Sequence, residues 1–229
     1  MINSNAEIIN YLESSMTTEE IGILNQSLKS MEAFAFDAQA VPGGRWREFS
    51  IRRMLGSSSL GLGKEIDKER WDQLNTYIHT KIQDSTPLCL KEIQNNNSIL
   101  VPKESGNFRK SYSSGGEKTF VDPGDIEFFL NKLERNLEES RDDHPLWRAF
   151  IIYSWGITVH PFSDANGRTF RGACDWVLMA SGILPVSFSS SVSAHVAVAR
   201  NVELPVRSKV FASFIQGVLN SYQFLSALD

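Results

Sequence analysis

Cysteine is almost missing from this chain: Cys89 and Cys174 are the only two in 229 residues. Two cysteines so far apart make no disulfide framework and no metal-ligand spacing, so both read as small core residues in a reducing compartment. A basic excess is also missing, with 23 Lys and Arg against 27 Asp and Glu and a net charge of −4. Binding a nucleic-acid backbone needs a basic footprint, so nucleic acid is not expected as a partner. No run approaches the roughly 18 apolar residues needed to cross a bilayer, and no membrane partner is expected. The opening stretch MINSNAEIINYLESS has no positive segment followed by a long apolar one, so it does not read as a secretory signal. The expectation is a cytoplasmic protein, with export by a route that leaves no such signal still open. Internal repeats are absent. So is a phosphate-binding P-loop, because Ser58 stands six residues before Lys64, where that loop needs its first glycine.

What is present is helical periodicity. Ile8, Ile9 and Leu12, then Ile21, Leu24, Leu28 and Met31, predict two N-terminal helices, with capping chemistry in Ser15–Glu20 between them. Pro42-Gly43-Gly44 is a stop, and residues 45–63 read as a short helix followed by a Gly/Ser-rich connector. Trp71, Leu74, Ile78 and Ile82 make one apolar stripe, a second helix follows Pro87, and Asn95–Ser98 reads as a solvated loop. Two short β-prone runs, containing Ile99-Leu100-Val101 and Thr119-Phe120-Val121, flank Ser113, Ser114, Gly115 and Gly116, which predicts a hairpin. Beyond Pro123 the helical spacing returns in Ile126, Leu130, Leu133 and Leu137, then in a helix opened by Pro145, another after residue 166, and two more over 189–201 and 206–227. The fold class expected is mainly α with one β-hairpin. The chain is long enough to bury a core, and a homodimer is an open reading.

Chemistry concentrates in residues 160–171, HPFSDANGRTFR. His160 precedes a proline, which ends the incoming helix there and leaves the imidazole at a helix end, well placed as a general base near neutral pH. Asp164 is a hard oxygen ligand of the kind that holds Mg²⁺ together with phosphate oxygens and water. Asn166 and Gly167 open the outgoing helix, where N–H groups and the helix dipole attract anions. Arg168 and Arg171 share one face of its first turn. Two cations at a helix N-terminus oppose the dipole, which makes sense if a polyphosphate sits there. The alternative is that the arginines pair with surface carboxylates such as Asp175.

This stretch resembles the signature of the Fic family, HPF-x-(D/E)-G-N-G-R-x-x-R, differing only at Ala165, where most members have glycine. The segment from Asn107-Phe108-Arg109 to Val121-Asp122-Pro123 is similar to that family's flap hairpin and the helix after it. The resemblance covers residues from about 88 to 183. It implies a Fic domain over 86–229, with the flap at about 107–122 and extra N-terminal helices in 1–85. It also implies a protein adenylyltransferase, which moves AMP from ATP onto a Ser, Thr or Tyr hydroxyl of a target protein and releases pyrophosphate.

On that resemblance His160 is the base and Asp164 holds Mg²⁺. Asn166 and the Gly167 backbone form the anion hole, with Arg168 and Arg171 on the outer phosphates. The flap, including Arg109, Ser113, Ser114, Gly115 and Gly116, clamps the target by strand addition. Ala165 is shared with branches that transfer other groups, including Doc-like kinases and a phosphocholine transferase. The Doc-like proteins carry lysine where this chain has Gly167. Transfer of UMP, phosphocholine or phosphate, and a non-catalytic binding module, are the alternatives.

Overall fold

The computed structural model describes residues 2–13, 17–33, 48–50, 53, 68–115, 118–187 and 204–226. Eight longer helices occur among them: α1 (Asn5–Leu12), α2 (Thr18–Ala33), α3 (Lys68–Gln83), α4 (Leu90–Leu100), α5 (Ile126–Glu139), α6 (Pro145–Val159), α7 (Asn166–Ala180) and α8 (Leu204–Ser226). The strands β1 (Ser114–Gly115) and β2 (Lys118–Thr119) pair antiparallel, Ser114 opposite Thr119 and Gly115 opposite Lys118. Among the described residues the fold is therefore mainly α with one hairpin, as the periodicity predicts. Gly116 and the Gly/Ser-rich connector fall outside the described residues, as does the helix expected over 189–201.

The chain divides into two compact units. The first comprises residues 1–66, 142–147 and 178–229. Its first two helices begin with reciprocal caps, and at the start of α1 Ser4 and Glu7 satisfy each other's backbone N–H. At the start of α2 the Thr17 N–H donates to Glu20 Oε2 (2.7 Å) and the Glu20 N–H to Thr17 Oγ1 (3.3 Å). The buried faces of α1 and α8 meet around an aromatic trio, with Trp147 at 5.0 Å from both Tyr11 and Phe211, edge to face.

The second unit comprises residues 67–141 and 148–177 and holds the hairpin and residues 160–171. Trp71, Leu74 and Ile78 of α3 are buried, as are Ile126, Leu130, Leu133 and Leu137 of α5. Both apolar stripes therefore face a core. Ile82, at the end of the α3 stripe, is only half-buried. Helices α5 and α6 are tied by Trp155 Nε1 donating to the Phe129 carbonyl (3.0 Å) and Arg148 Nη2 to the Leu137 carbonyl (3.2 Å). Helices α6 and α7 approach closely where Gly156 meets Phe170, and a Cβ on Gly156 would fall inside the Phe170 ring. Only glycine fits there.

One expectation fails in this unit. Asn95–Ser98 is not a solvated loop, and Ile99-Leu100 is not strand; all lie in α4, with Asn96 and Asn97 buried. Asparagine is a poor helix former because its amide competes for the backbone. Here the amides of Asn95 and Asn97 have other partners. Asn95 Nδ2 donates to Tyr77 Oη and Glu92 Oε2 (3.0 Å each), and Asn97 Nδ2 donates to the Asp164 carbonyl and Thr169 Oγ1 (3.0 Å each).

Candidate active site

The loop between α6 and α7 is shaped by two residues in a conformation that L-residues avoid. His160 has φ +52° and Ala165 φ +61°. The first ends α6: the His160 N–H donates to the Gly156 carbonyl (2.9 Å), and Pro161 forbids further helix. The second opens α7, where the Thr169 N–H donates to the Ala165 carbonyl (2.8 Å). The turn thus requires a left-handed residue at 165, which glycine adopts freely and alanine adopts at a cost of about 1 kcal/mol.

Between these bends the loop is closed by Asn166. Its Oδ1 accepts from the Phe162 N–H and its Nδ2 donates to the Phe162 carbonyl, both at 2.8 Å. Asn166 is 2% exposed, so its observed role is to hold the loop. Phe162 is buried against Phe108 (5.7 Å) and Phe170 (6.2 Å). It is the apolar peg that turns the neighbouring polar side chains outward.

Those side chains gather at the start of α7. Asp164 Oδ1 accepts the Ala165 N–H (2.6 Å) and lies 3.7 Å from Arg168 Nη2. Arg171 donates through Nε to the Gly167 carbonyl (3.0 Å), and its guanidinium carbon sits 5.9 Å over the Trp71 ring. Burial pushes the Tyr153 phenol above its ordinary pKa, and the Arg171 charge opposes that shift. Helix geometry leaves the first-turn N–H groups without intrahelical acceptors. The sequence-predicted residues His160, Asp164, Asn166, Gly167, Arg168 and Arg171 therefore occupy one loop and the first two turns of one helix.

The flap reaches this loop from the side. Ser113 accepts the Phe120 N–H through its carbonyl (3.0 Å), which extends the pairing of Ser114 and Gly115. Arg109 does not face outward to a target, as expected from the sequence; it is 4% exposed. Its Nε donates to the His160 carbonyl (2.7 Å) and Nη1 to the Ser111 carbonyl (2.8 Å), while Nη2 donates to the carbonyls of Val121 and Val159. Its own N–H donates to the Pro161 carbonyl (2.8 Å). Carbonyls at the C-terminal end of a helix carry partial negative charge and lack intrahelical donors, which is what a guanidinium fork satisfies. Burial lowers the Arg109 pKa and the Asp122 charge raises it.

Two contributors escaped the sequence reading. Asn97 links α4 to both ends of the 164–169 turn, and its signal was present: Ile93, Asn97 and Leu100 fall on one helical face. Phe120 stacks on His160 with ring centroids 3.9 Å apart and planes 10° from parallel. No local pattern marks that contact, since the two residues are distant in sequence.

Residues 87–178 match the Fic/DOC family. That stretch is similar to a Fic domain. Protein adenylyltransferase Fic of Drosophila ananassae is 30% identical over 134 residues, which cover 54% of this chain and 27% of that protein. The Drosophila melanogaster protein of the same name matches to the same extent. This chain thus spans about a quarter of the length of those relatives. A Fic family protein from Desulfovibrio desulfuricans superposes with a TM-score of 0.65 at 14% identity, covering 92% of this chain and 76% of that one. IbpAFic2 in complex with adenylylated Cdc42 gives 0.60 at 17% identity, over 94% of this chain and 76% of that one. These two likenesses concern the fold.

Proposed function

We propose that the protein is an adenylyltransferase that moves AMP from ATP to a Ser, Thr or Tyr hydroxyl of a target protein. The observation that carries this reading is the single loop that holds a histidine, a carboxylate, a helix N-terminus and two guanidinium groups together. The names of the Drosophila relatives support it, and so does a similarly folded protein captured with an adenylylated partner. In the step proposed, the target hydroxyl oxygen attacks the α-phosphorus as its proton passes to the His160 imidazole. The bond from the α-phosphorus to the bridging oxygen breaks, and pyrophosphate leaves. First-turn N–H groups, Arg168 and Arg171 face the phosphate charge. Positioning and charge stabilisation dominate such a reaction, because little covalent chemistry falls to the protein.

The donor set fits a magnesium ion that arrives with the nucleotide. Among the described residues no cluster of three His, Cys, Asp or Glu could hold a metal by itself. Mg²⁺ is ordinarily held by one or two carboxylates, with phosphate oxygens and water completing the shell. Asp164 is the carboxylate that would hold it, and the ion would neutralise charge on the phosphates.

The test is incubation with α-³²P-labelled ATP and Mg²⁺, comparing the wild type with His160→Ala and following label into the protein itself or a lysate. Transfer should fall on the order of 10² to 10⁴-fold in the variant. Label supplied only by γ-labelled ATP, labelled UTP or a phosphocholine donor would replace AMP with another group. Silence from every donor would leave a binding module.

A further inference from the structure

The geometry points to Phe120 as a positioning residue that fixes the plane of the His160 imidazole. This rests on the adenylyltransferase reading for its consequence in catalysis, although the stack itself is independent of that reading. The rings lie 3.9 Å apart and 10° from parallel. At that separation the imidazole cannot turn about its Cβ–Cγ bond without sweeping through the phenyl ring. Its two nitrogens are therefore kept at fixed edges, and water is kept from one face. Which nitrogen meets the hydroxyl decides whether a histidine can serve as base, so a locked plane is a functional constraint.

The contact is imposed by the backbone. Phe120 is fixed on the hairpin side by its N–H bond to the Ser113 carbonyl (3.0 Å). The next residue, Val121, and the histidine itself both present their carbonyls to the same Arg109 guanidinium. The His160 backbone is further held at φ +52° by its bond to the Gly156 carbonyl. One cation thus clamps both partners beside their rings. When the imidazole takes the hydroxyl proton it becomes a cation over an aromatic face, an arrangement the ring quadrupole favours. The flap therefore does more than present a surface to a target: it holds the base.

The experiment pairs a spectroscopic and a kinetic readout on the full chain. In histidine-labelled protein the His160 ring protons, assigned by their loss in His160→Gln, should resonate upfield of ordinary values under the Phe120 ring current. Phe120→Leu should abolish that shift and Phe120→Tyr should keep it. In the transfer assay Phe120→Leu should lower kcat on the order of tenfold with KM for ATP unchanged, and Phe120→Tyr should restore it. Melting curves identify any variant that fails to fold, and Phe120→Met then takes the place of leucine. An ordinary His160 spectrum in the wild type, or a folded Phe120→Leu protein with wild-type kcat, would overturn the proposal. A wild type that transfers nothing but shows the ring-current shift would remove the adenylyltransferase reading and leave the locked imidazole standing.

Discussion

Two polar clusters in the same unit solve the problem of burial in opposite ways. On α3 and α4, Glu92 accepts from Tyr77 Oη, from Asn95 Nδ2 and from Lys81 Nζ (3.2 Å), all on ordinary helical backbone. In the 160–171 loop Asp164 and Arg168 stay half-exposed at the rim while Asn166 and Arg171 are buried, and the distortion sits in the backbone instead. Four non-glycine residues with positive φ occur among the described residues, and two of them, His160 and Ala165, lie in this loop. Helical backbone with mutual pairing makes a staple. Left-handed backbone that presents charges to a rim makes a site.

The comparison breaks most visibly beneath the loop. Gly156→Ala drives a methyl into the Phe170 ring and should destabilise by about 3 kcal/mol, read as a lower midpoint in urea. Asn166→Ala leaves the Phe162 N–H and carbonyl without their partner and should cost about 2 kcal/mol. Asn166→Asp keeps the acceptor for the N–H but faces a carbonyl with a carboxylate, so it should recover only part of that loss. If both variants melt like wild type, the loop is held by something other than Asn166.

The staple should respond to acid. Burial alone would raise the Glu92 pKa, but bonds from Tyr77, Asn95 and Lys81 outweigh it and lower the value below the ordinary 4.5. A depressed carboxyl stabilises the fold fully above its unfolded pKa, and that contribution is lost as pH falls through the lowered folded value. Glu92→Gln should therefore lose about 1–2 kcal/mol at neutral pH and show a shallower decline below pH about 4.5. Ala165→Gly should act in the other direction. It relieves about 1 kcal/mol of left-handed strain, partly offset by glycine's greater unfolded freedom, so a small rise in melting temperature is expected. A fall would mean that Ala165 contributes packing that outweighs its conformation.

The parts legible in the sequence are those with local signatures. Apolar stripes placed α3 and α5, the capping chemistry in Ser15–Glu20 placed the start of α2, and residues 160–171 stood out by their chemistry. What escaped depends on contacts between distant positions. The inward turn of Arg109 is decided by carbonyls that only appear once α6 has ended. The asparagine run looked like a loop because its partners, Tyr77 and Thr169, belong to other helices. Phe120 looked like an ordinary strand residue because nothing near it in sequence announces His160.

The Arg109 clamp also orders events in time. Its acceptors at Val159 and His160 exist only after α6 has formed and the chain has turned at Pro161. A flap that docks after the barrier to folding would direct its anchoring energy to resisting unfolding rather than to speeding folding. Arg109→Met should steepen escape from the native state in stopped-flow unfolding while refolding keeps its wild-type rate.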